Sequence, residues 1–289
     1  RLDSVVISSN LRKDGSRFVY FDSDIADGSI EGNYDLTKTP RRLLGMFAKY
    51  YPRFAARAGL RQPDSLDVSE QYDLRLNIRD TRQWTRLFAE PLDTLRNLYV
   101  KVHVEGDIGL VQVLMEAPEL RYNKTVLKDA SLNWYSLRDS ATYNIRLPST
   151  RLNPKRTLAP VTISGFMTDE AITFHLETKD SAQIIQSLNL NGSLSLAAAD
   201  SLWELRFTSS NISLFNQGWG IEENNYIRFG KGFLEANNFY LYNNYNQRIV
   251  VDNFNNGKGI SLAFTNFDLS FVNLFLGSLP LEIRGKAYD

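Results

Sequence analysis

Alternation of apolar and polar residues with a period of two recurs along this chain, and it restricts the fold more than any other feature. In "YDLRLNIR" the apolar positions are Tyr72, Leu74, Leu76 and Ile78, separated by Asp73, Arg75, Asn77 and Arg79. In "LYVKVHVE" Leu98, Val100, Val102 and Val104 alternate with Lys101, His103 and Glu105, and in "ITFHLE" Ile172, Phe174 and Leu176 alternate with Thr173, His175 and Glu177. Successive side chains of a strand point to opposite faces, so each stretch reads as a strand with one apolar and one solvated face. Water on one face favours antiparallel pairing, because parallel sheets are covered on both sides. The expected fold class is mainly β: an elongated, curved antiparallel sheet forming an open apolar groove, with a few short capped helices.

The clearest helix is "TPRRLLGMFAKYYPRFAARAG" (39–59). Thr39 suits a cap, Pro40 suits the first turn, Pro52 interrupts, and Gly59 suits the end. Elsewhere a strand, an apolar turn behind a Ser, Thr or Asp, and a glycine-bearing strand recur about every 90 residues, around Trp84–Phe88, after Asp180 and after Asp268. Such weak repeats suit an elongated array, read as one continuous groove fragment of a longer protein over 1–289 with sub-units 1–64 and 65–289. The segment "ISLAFTNFDLSFVNLFLG" (260–277) carries two apolar series, Ile260–Leu262–Phe264 and Phe267–Leu269–Phe271. The one-residue slip between them, at Thr265–Asn266, is what a β-bulge absorbs.

Composition narrows the function classes. Lys and Arg number 33 and Asp and Glu number 33, so no broad field draws the chain to nucleic acid. Cysteine is absent, which excludes disulfides, thiolate metal sites and cysteine nucleophiles. The two histidines, His103 and His175, fall on the polar side of their strands, where a solvated residue is the ordinary reading. A glycosidase pair among Asp22, Asp24, Glu222 and Glu223 stays open, although ordinary solvated acids explain them more simply. The glycines at 230–232 and 257–259 lack the spacing of a phosphate loop and suit hairpins. No enzyme motif, metal or cofactor emerges, and the chain is expected not to be an enzyme.

What stands out is one-sided apolar surface with little helix to cover it. Two sheets packed face to face would bury it, and so would an apolar ligand lying on a curved sheet. Burying each methylene of an acyl chain gains about 0.8 kcal/mol, so a lipid would need few polar contacts there.

The stretches "WGIEENNYIRFGKGFLEANNFYLYNNYNQRIVVDN" and "ISLAFTNFDLSFVNLFLGSLPLEIRGKAYD" resemble the translocation and assembly module (TamB) family of AsmA-like proteins, in a Bacteroides-type form. "GSIEGNYDLTKTPRRLLGMF" (28–47) is similar to a further unit of that kind. The resemblance implies a periplasmic groove in a protein anchored in the inner membrane. Such a groove would carry phospholipid, or shield apolar polypeptide segments, between the inner and outer membranes, with an Omp85-type outer-membrane barrel as partner. No catalytic residues come with it. On this reading Val100, Val102, Val104, Ile172, Phe174, Leu176, Leu194, Leu196, Ile227, Phe229, Leu262, Phe264, Phe267, Leu269 and Phe271 line the groove. The alternative is a β-rich surface adhesin or carbohydrate-binding protein that stacks sugars on residues such as Trp134 and Trp219.

Overall fold

A computed structural model describes residues 4–13, 15–61, 69–80, 92–123, 125–153, 156–180, 185–197, 202–214, 216–254 and 259–266. It is mainly β and antiparallel, with two helices among the described residues, and divides into two compact units, 1–179 and 180–289. No helix among the described residues is long and apolar enough to cross a membrane. The expected turns around Trp84–Phe88, after Asp180 and beyond Asn266 lie outside these residues, as does the proline break at 63–66.

The first unit opens with β1 (Val5–Leu11), β2 (Arg17–Ser23) and β3 (Ala26–Asn33), followed by α1 (Thr39–Tyr50) and α2 (Pro52–Arg57). It continues with β4 (Gln71–Asp80), β5 (Leu92–Glu105), β6 (Leu110–Tyr122), β7 (Thr125–Leu137) and β8 (Ser140–Leu147). Then come β9 (Ser149–Asn153), β10 (Arg156–Leu158), β11 (Val161–Met167) and β12 (Ala171–Lys179). Strands β1 to β8 pair successively, β11 pairs with β8, and β12 pairs with β11. Because β3 pairs directly with β4, the sheet runs on across the 64/65 point between the two expected sub-units.

Strands β9 and β10 prolong the lines of β8 and β11 past Pro148 and Pro160, with β9 on β7 and β10 on β9. The ladder is interrupted along one transverse line. Pairing skips from Arg96↔Glu119 to Tyr99↔Glu116, and from Glu119↔Lys128 to Ala117↔Ala130. It skips again from Lys128↔Ser149 to Ser131↔Arg146, and from Leu158↔Thr150 to Val161↔Leu147. The register therefore sets Asn97, Pro118, Asp129, Pro148 and Pro160 side by side. Proline donates no hydrogen bond and is ordinarily kept out of central strands. Asn97 and Asp129, facing Pro118 from either side, take left-handed φ values of 51° and 54°. Asn and Asp adopt that conformation more readily than other residues with a side chain. Gathered at one level, these residues interrupt the sheet once instead of at scattered places.

The second unit holds β13 (Ile185–Leu196), β14 (Trp203–Phe207), β15 (Asn211–Leu214), β16 (Gln217–Ile221) and β17 (Tyr226–Gly230). Strands β18 (Phe233–Asn237), β19 (Phe239–Asn243), β20 (Arg248–Phe254) and β21 (Gly259–Thr265) follow. Strands β14 and β15 lie end to end along β13. Strands β17 and β16 pair with them in turn, and β18 and β19 pair with those. Strand β20 pairs with β19 and β21 with β20.

Asparagine and serine bridge this second transverse break. Buried Asn225 accepts a hydrogen bond from Phe207 N at 2.9 Å and donates to Phe207 O at 2.9 Å and to Glu222 O. Its amide thus takes the place of a missing strand residue. Beside it, Asn191 N donates to Ser210 Oγ at 3.0 Å, and across β18 the Asn253 side chain accepts from Ala236 N at 2.6 Å. Asn238, between β18 and β19, has φ 50° and donates to Glu223 O at 2.8 Å. Both expected hairpins are present: Gly232 turns β17 into β18 with φ 72°, and β20 and β21 pair from either side of the 257–259 glycines. Strand β21 ends at Thr265, and Asn266, which follows it, has φ 51°.

Helix α1 starts at Thr39 with Pro40 in its first turn, and Gly59 (φ 72°) follows α2, as expected. Thr39 does not cap in the expected way. Its hydroxyl donates to Asp35 O at 2.9 Å and to Glu70 Oε1 at 3.1 Å, so it ties the helix to the start of β4.

Asn225→Ala leaves buried backbone groups of Phe207 and Glu222 unpaired. It should cost about 3 kcal/mol, read as a lower urea midpoint, whereas Asn246→Gly in an exposed turn should change the midpoint little.

Candidate functional site

The site is a sheet face. In the first unit the register lines up Leu76, Val100, Met115, Leu132, Ile145, Ile163 and Leu176 across the strands. The adjoining row is Leu74, Val102, Val113, Trp134, Tyr143, Gly165 and Phe174. The next is Tyr72, Val104, Val111, Ser136, Ala141, Met167 and Ile172. The expected lining residues Val100, Val102, Val104, Ile172, Phe174 and Leu176, far apart in sequence, thus share one face.

Most of this face is only half-buried. Leu74, Leu76, Val100, Val102, Val113, Leu132, Ile145, Ile163, Phe174 and Leu176 all keep partial exposure, whereas a second sheet packed over them would bury them. A buried cluster forms beneath the helices, where Ile30, Tyr34, Met46, Tyr72 and Val104 meet, with Leu43 and Tyr50 against them, and Leu98 and Ala117 are buried farther along the face. Gly165 leaves room for the ring of Tyr143, since an added Cβ would lie 2.7 Å from the Tyr143 hydroxyl. That hydroxyl donates to Thr173 O at 3.0 Å, which holds the ring along the sheet next to Trp134, 6.4 Å away between centroids. Burial raises the pKa of Tyr143, as it does for Tyr72 and Tyr51, so all three phenols stay neutral.

The helix pair is fastened onto this face at both ends. Buried Glu70 accepts from the Arg42 guanidinium at 2.5 Å, from Asp35 N at 3.1 Å and from Thr39. At the other end Asp169 accepts from Arg53 N at 2.8 Å, and the Tyr51 and Ser136 hydroxyls lie 3.1 Å apart. Between α1 and β5–β7 is a cavity of about 320 Å³, lined by Leu43, Leu44, Phe47, Tyr50, Val113 and Trp134 among others.

In the second unit Leu194 lines up with Leu205 and Ile227, and Leu196 with Trp203 and Phe229. The ring of Phe207, next on that side of β14, meets Phe239 at 5.6 Å, and Phe239 lines up with Val251 and Leu262. Phe264 lines up with Ile249 and Leu241 one step along. The expected residues Leu194, Leu196, Ile227, Phe229, Leu262 and Phe264 therefore form an apolar face in this unit too, with Leu262 at 55% exposure. Phe267, Leu269 and Phe271 lie outside the described residues.

The opposite face of the first unit carries most of its charged and polar side chains, together with Leu114, Tyr135 and Phe166. His103 sits between Glu105 (3.0 Å) and Asp73 (3.1 Å), and their hydrogen bonds, that from Glu105 foremost, raise its pKa. Both ring nitrogens are engaged, and no group of three His, Cys, Asp or Glu among the described residues is placed to hold a metal ion. Asp22 is paired with Arg79, which also holds Asp27. Trp219 is buried, and Trp134 lines both the cavity under α1 and one of about 450 Å³ shared with Lys101, His103, Gln112 and Asn133 among others. The sequence reading missed the asparagine bridges and the anchoring role of Glu70; a Thr39–Glu70 contact leaves no local motif to find. No family model, curated protein or solved structure matches the chain.

Glu70→Ala should release α1, with amide hydrogen exchange over 39–57 rising while β5–β7 stay protected, and cost about 3 kcal/mol. His103 contributes stability that is complete below its unfolded pKa of about 6.5 and lost as pH rises through its higher folded value. The urea midpoint should therefore fall more between about pH 6 and pH 8 for the wild type than for His103→Gln.

Proposed function

We propose that this chain carries apolar cargo on its sheet faces, chiefly the acyl chains of phospholipid, as a segment of a periplasmic groove protein of the AsmA-like, TamB type. In the full protein the segment would connect an anchor in the inner membrane with the outer membrane, where an Omp85-type barrel is the expected partner. The observation that carries this reading is the half-buried apolar face running in register from β4 to β12. Contiguous apolar surface of this extent is uncommon on proteins that bind nothing apolar. The face offers side chains of similar polarity in every row, which suits a cargo that slides more than one held in a single pose. The interrupted line at Asn97–Pro118–Asp129–Pro148–Pro160 supports curvature, because strands bend most easily where the ladder is broken. Shielding of apolar polypeptide segments uses the same surface and is the other cargo the chemistry admits.

Native mass spectrometry of the gently purified chain should find bound phospholipid. Phe174→Glu places a charge on the open face, where water can still reach it. Phospholipid exchange between labelled vesicles should fall about tenfold or more, while the melting temperature changes by only a few degrees. An unfolded variant, or exchange at the wild-type rate, would contradict the reading.

A further inference from the structure

The cavity under α1 differs from the half-buried face beside it, because it has both a roof and a floor. Its floor is Val102, Val111, Val113 and Trp134, and its roof is Leu43, Met46 and Phe47. The Ser136 hydroxyl at its wall is matched by that of Tyr51, so the interior asks for no hydrogen bond. About 320 Å³ holds on the order of ten methylenes, each about the size of a water molecule. It is therefore sized for the seated part of one alkyl chain.

Two cations stand beside the lining residues Tyr50 and Gly109, Lys49 and Arg138, the latter donating from Nε to Ile108 O at 3.4 Å. Lys49 Nζ stands 5.1 Å from the centroid of the Tyr50 ring. The Tyr50 hydroxyl and the stem of Arg138 both crowd Gly109, where an added Cβ would lie 2.6 Å from the one and 3.1 Å from the other. From Thr39 to Gly59 the helices bear Arg41, Arg42, Lys49, Arg53 and Arg57 and no acid. Asp107 and Asp139 sit in the turns that carry Gly109 and Arg138, so the attraction is local to Lys49 and Arg138 and not a broad positive field.

We infer that this cavity seats a single acyl chain, methyl end inward against Trp134, whose anionic head is held at the mouth by Lys49 and Arg138. The occupant is a fatty-acid anion of about ten to twelve carbons in the seated part. The inference deepens the apolar-cargo reading by giving the face one fixed, head-selective seat under the helix pair.

The test titrates the whole chain with dodecanoate and with dodecyltrimethylammonium by calorimetry. It also follows tryptophan quenching by dodecanoate brominated near its methyl end. One dodecanoate should bind, at least about tenfold more tightly than the cationic analogue, and Lys49→Glu/Arg138→Glu, both exposed positions, should remove that preference. Trp134→Phe should abolish most of the quenching while calorimetric affinity stays within about threefold. Equal affinity for both heads, quenching that survives Trp134→Phe, or absence of binding would each overturn the seat. If dodecanoate fails to bind while Phe174-dependent phospholipid exchange persists, only the seat is lost. If dodecanoate binds without any exchange, the seat stands and the cargo reading falls.

Discussion

Everything in the first unit depends on the register of the antiparallel ladder. A strand's side chains alternate, so a slip of one residue between any two strands would send half of the apolar set to the polar face. From β4 to β12 that slip does not occur on the helix side of the transverse break, and Val102, Val113, Trp134, Tyr143 and Phe174 stay in one row. The same ladder satisfies the backbone, so the sheet is held together although much of its apolar side is only half-buried. One cluster of full burial lies where α1 and α2 sit, Leu98 and Ala117 are buried in the row beyond Val100, and much of the face between is half-buried. A half-buried apolar surface is thus compatible with order, because hydrogen bonds along the strands hold the sheet.

Both units break their long strands along a transverse line, by different chemistry. In the first, prolines remove donors and left-handed Asn97 and Asp129 turn the backbone beside Pro118. In the second, side-chain amides replace the absent backbone partners, most completely at Asn225. Either device lets the line of a strand continue past an interruption. Strand β9 resumes beyond Pro148 in the line of β8, and β15 resumes beyond Ser210 in the line of β14.

Period two in Val100–Val104 and Ile172–Leu176 is local information, and it was enough to assign strands and a shared apolar side. The helix over 39–59 was readable for the same reason, from Pro40, Pro52 and Gly59. The alignment of Pro118, Pro148 and Pro160 was not, because each reads singly as a local break and only the pairing reveals one line. Asn225 reads as one more asparagine in a polar turn until its amide is seen spanning Phe207. The roles of Glu70 and Thr39 were hidden likewise: residues 31 apart meet only through the β3–β4 pairing. Whether an apolar face is covered is a property of other layers, which periodicity along one strand does not encode.

The central claim is that one face, and not the other, meets apolar cargo. Its most direct test is photocrosslinking to phospholipid vesicles from a benzophenone amino acid placed in turn at Val100, Lys101, Val102, His103 and Phe174. The account predicts lipid adducts from Val100, Val102 and Phe174 and none from Lys101 or His103, a period of two read out chemically. Adducts of equal yield from both sets, or from neither, would contradict it.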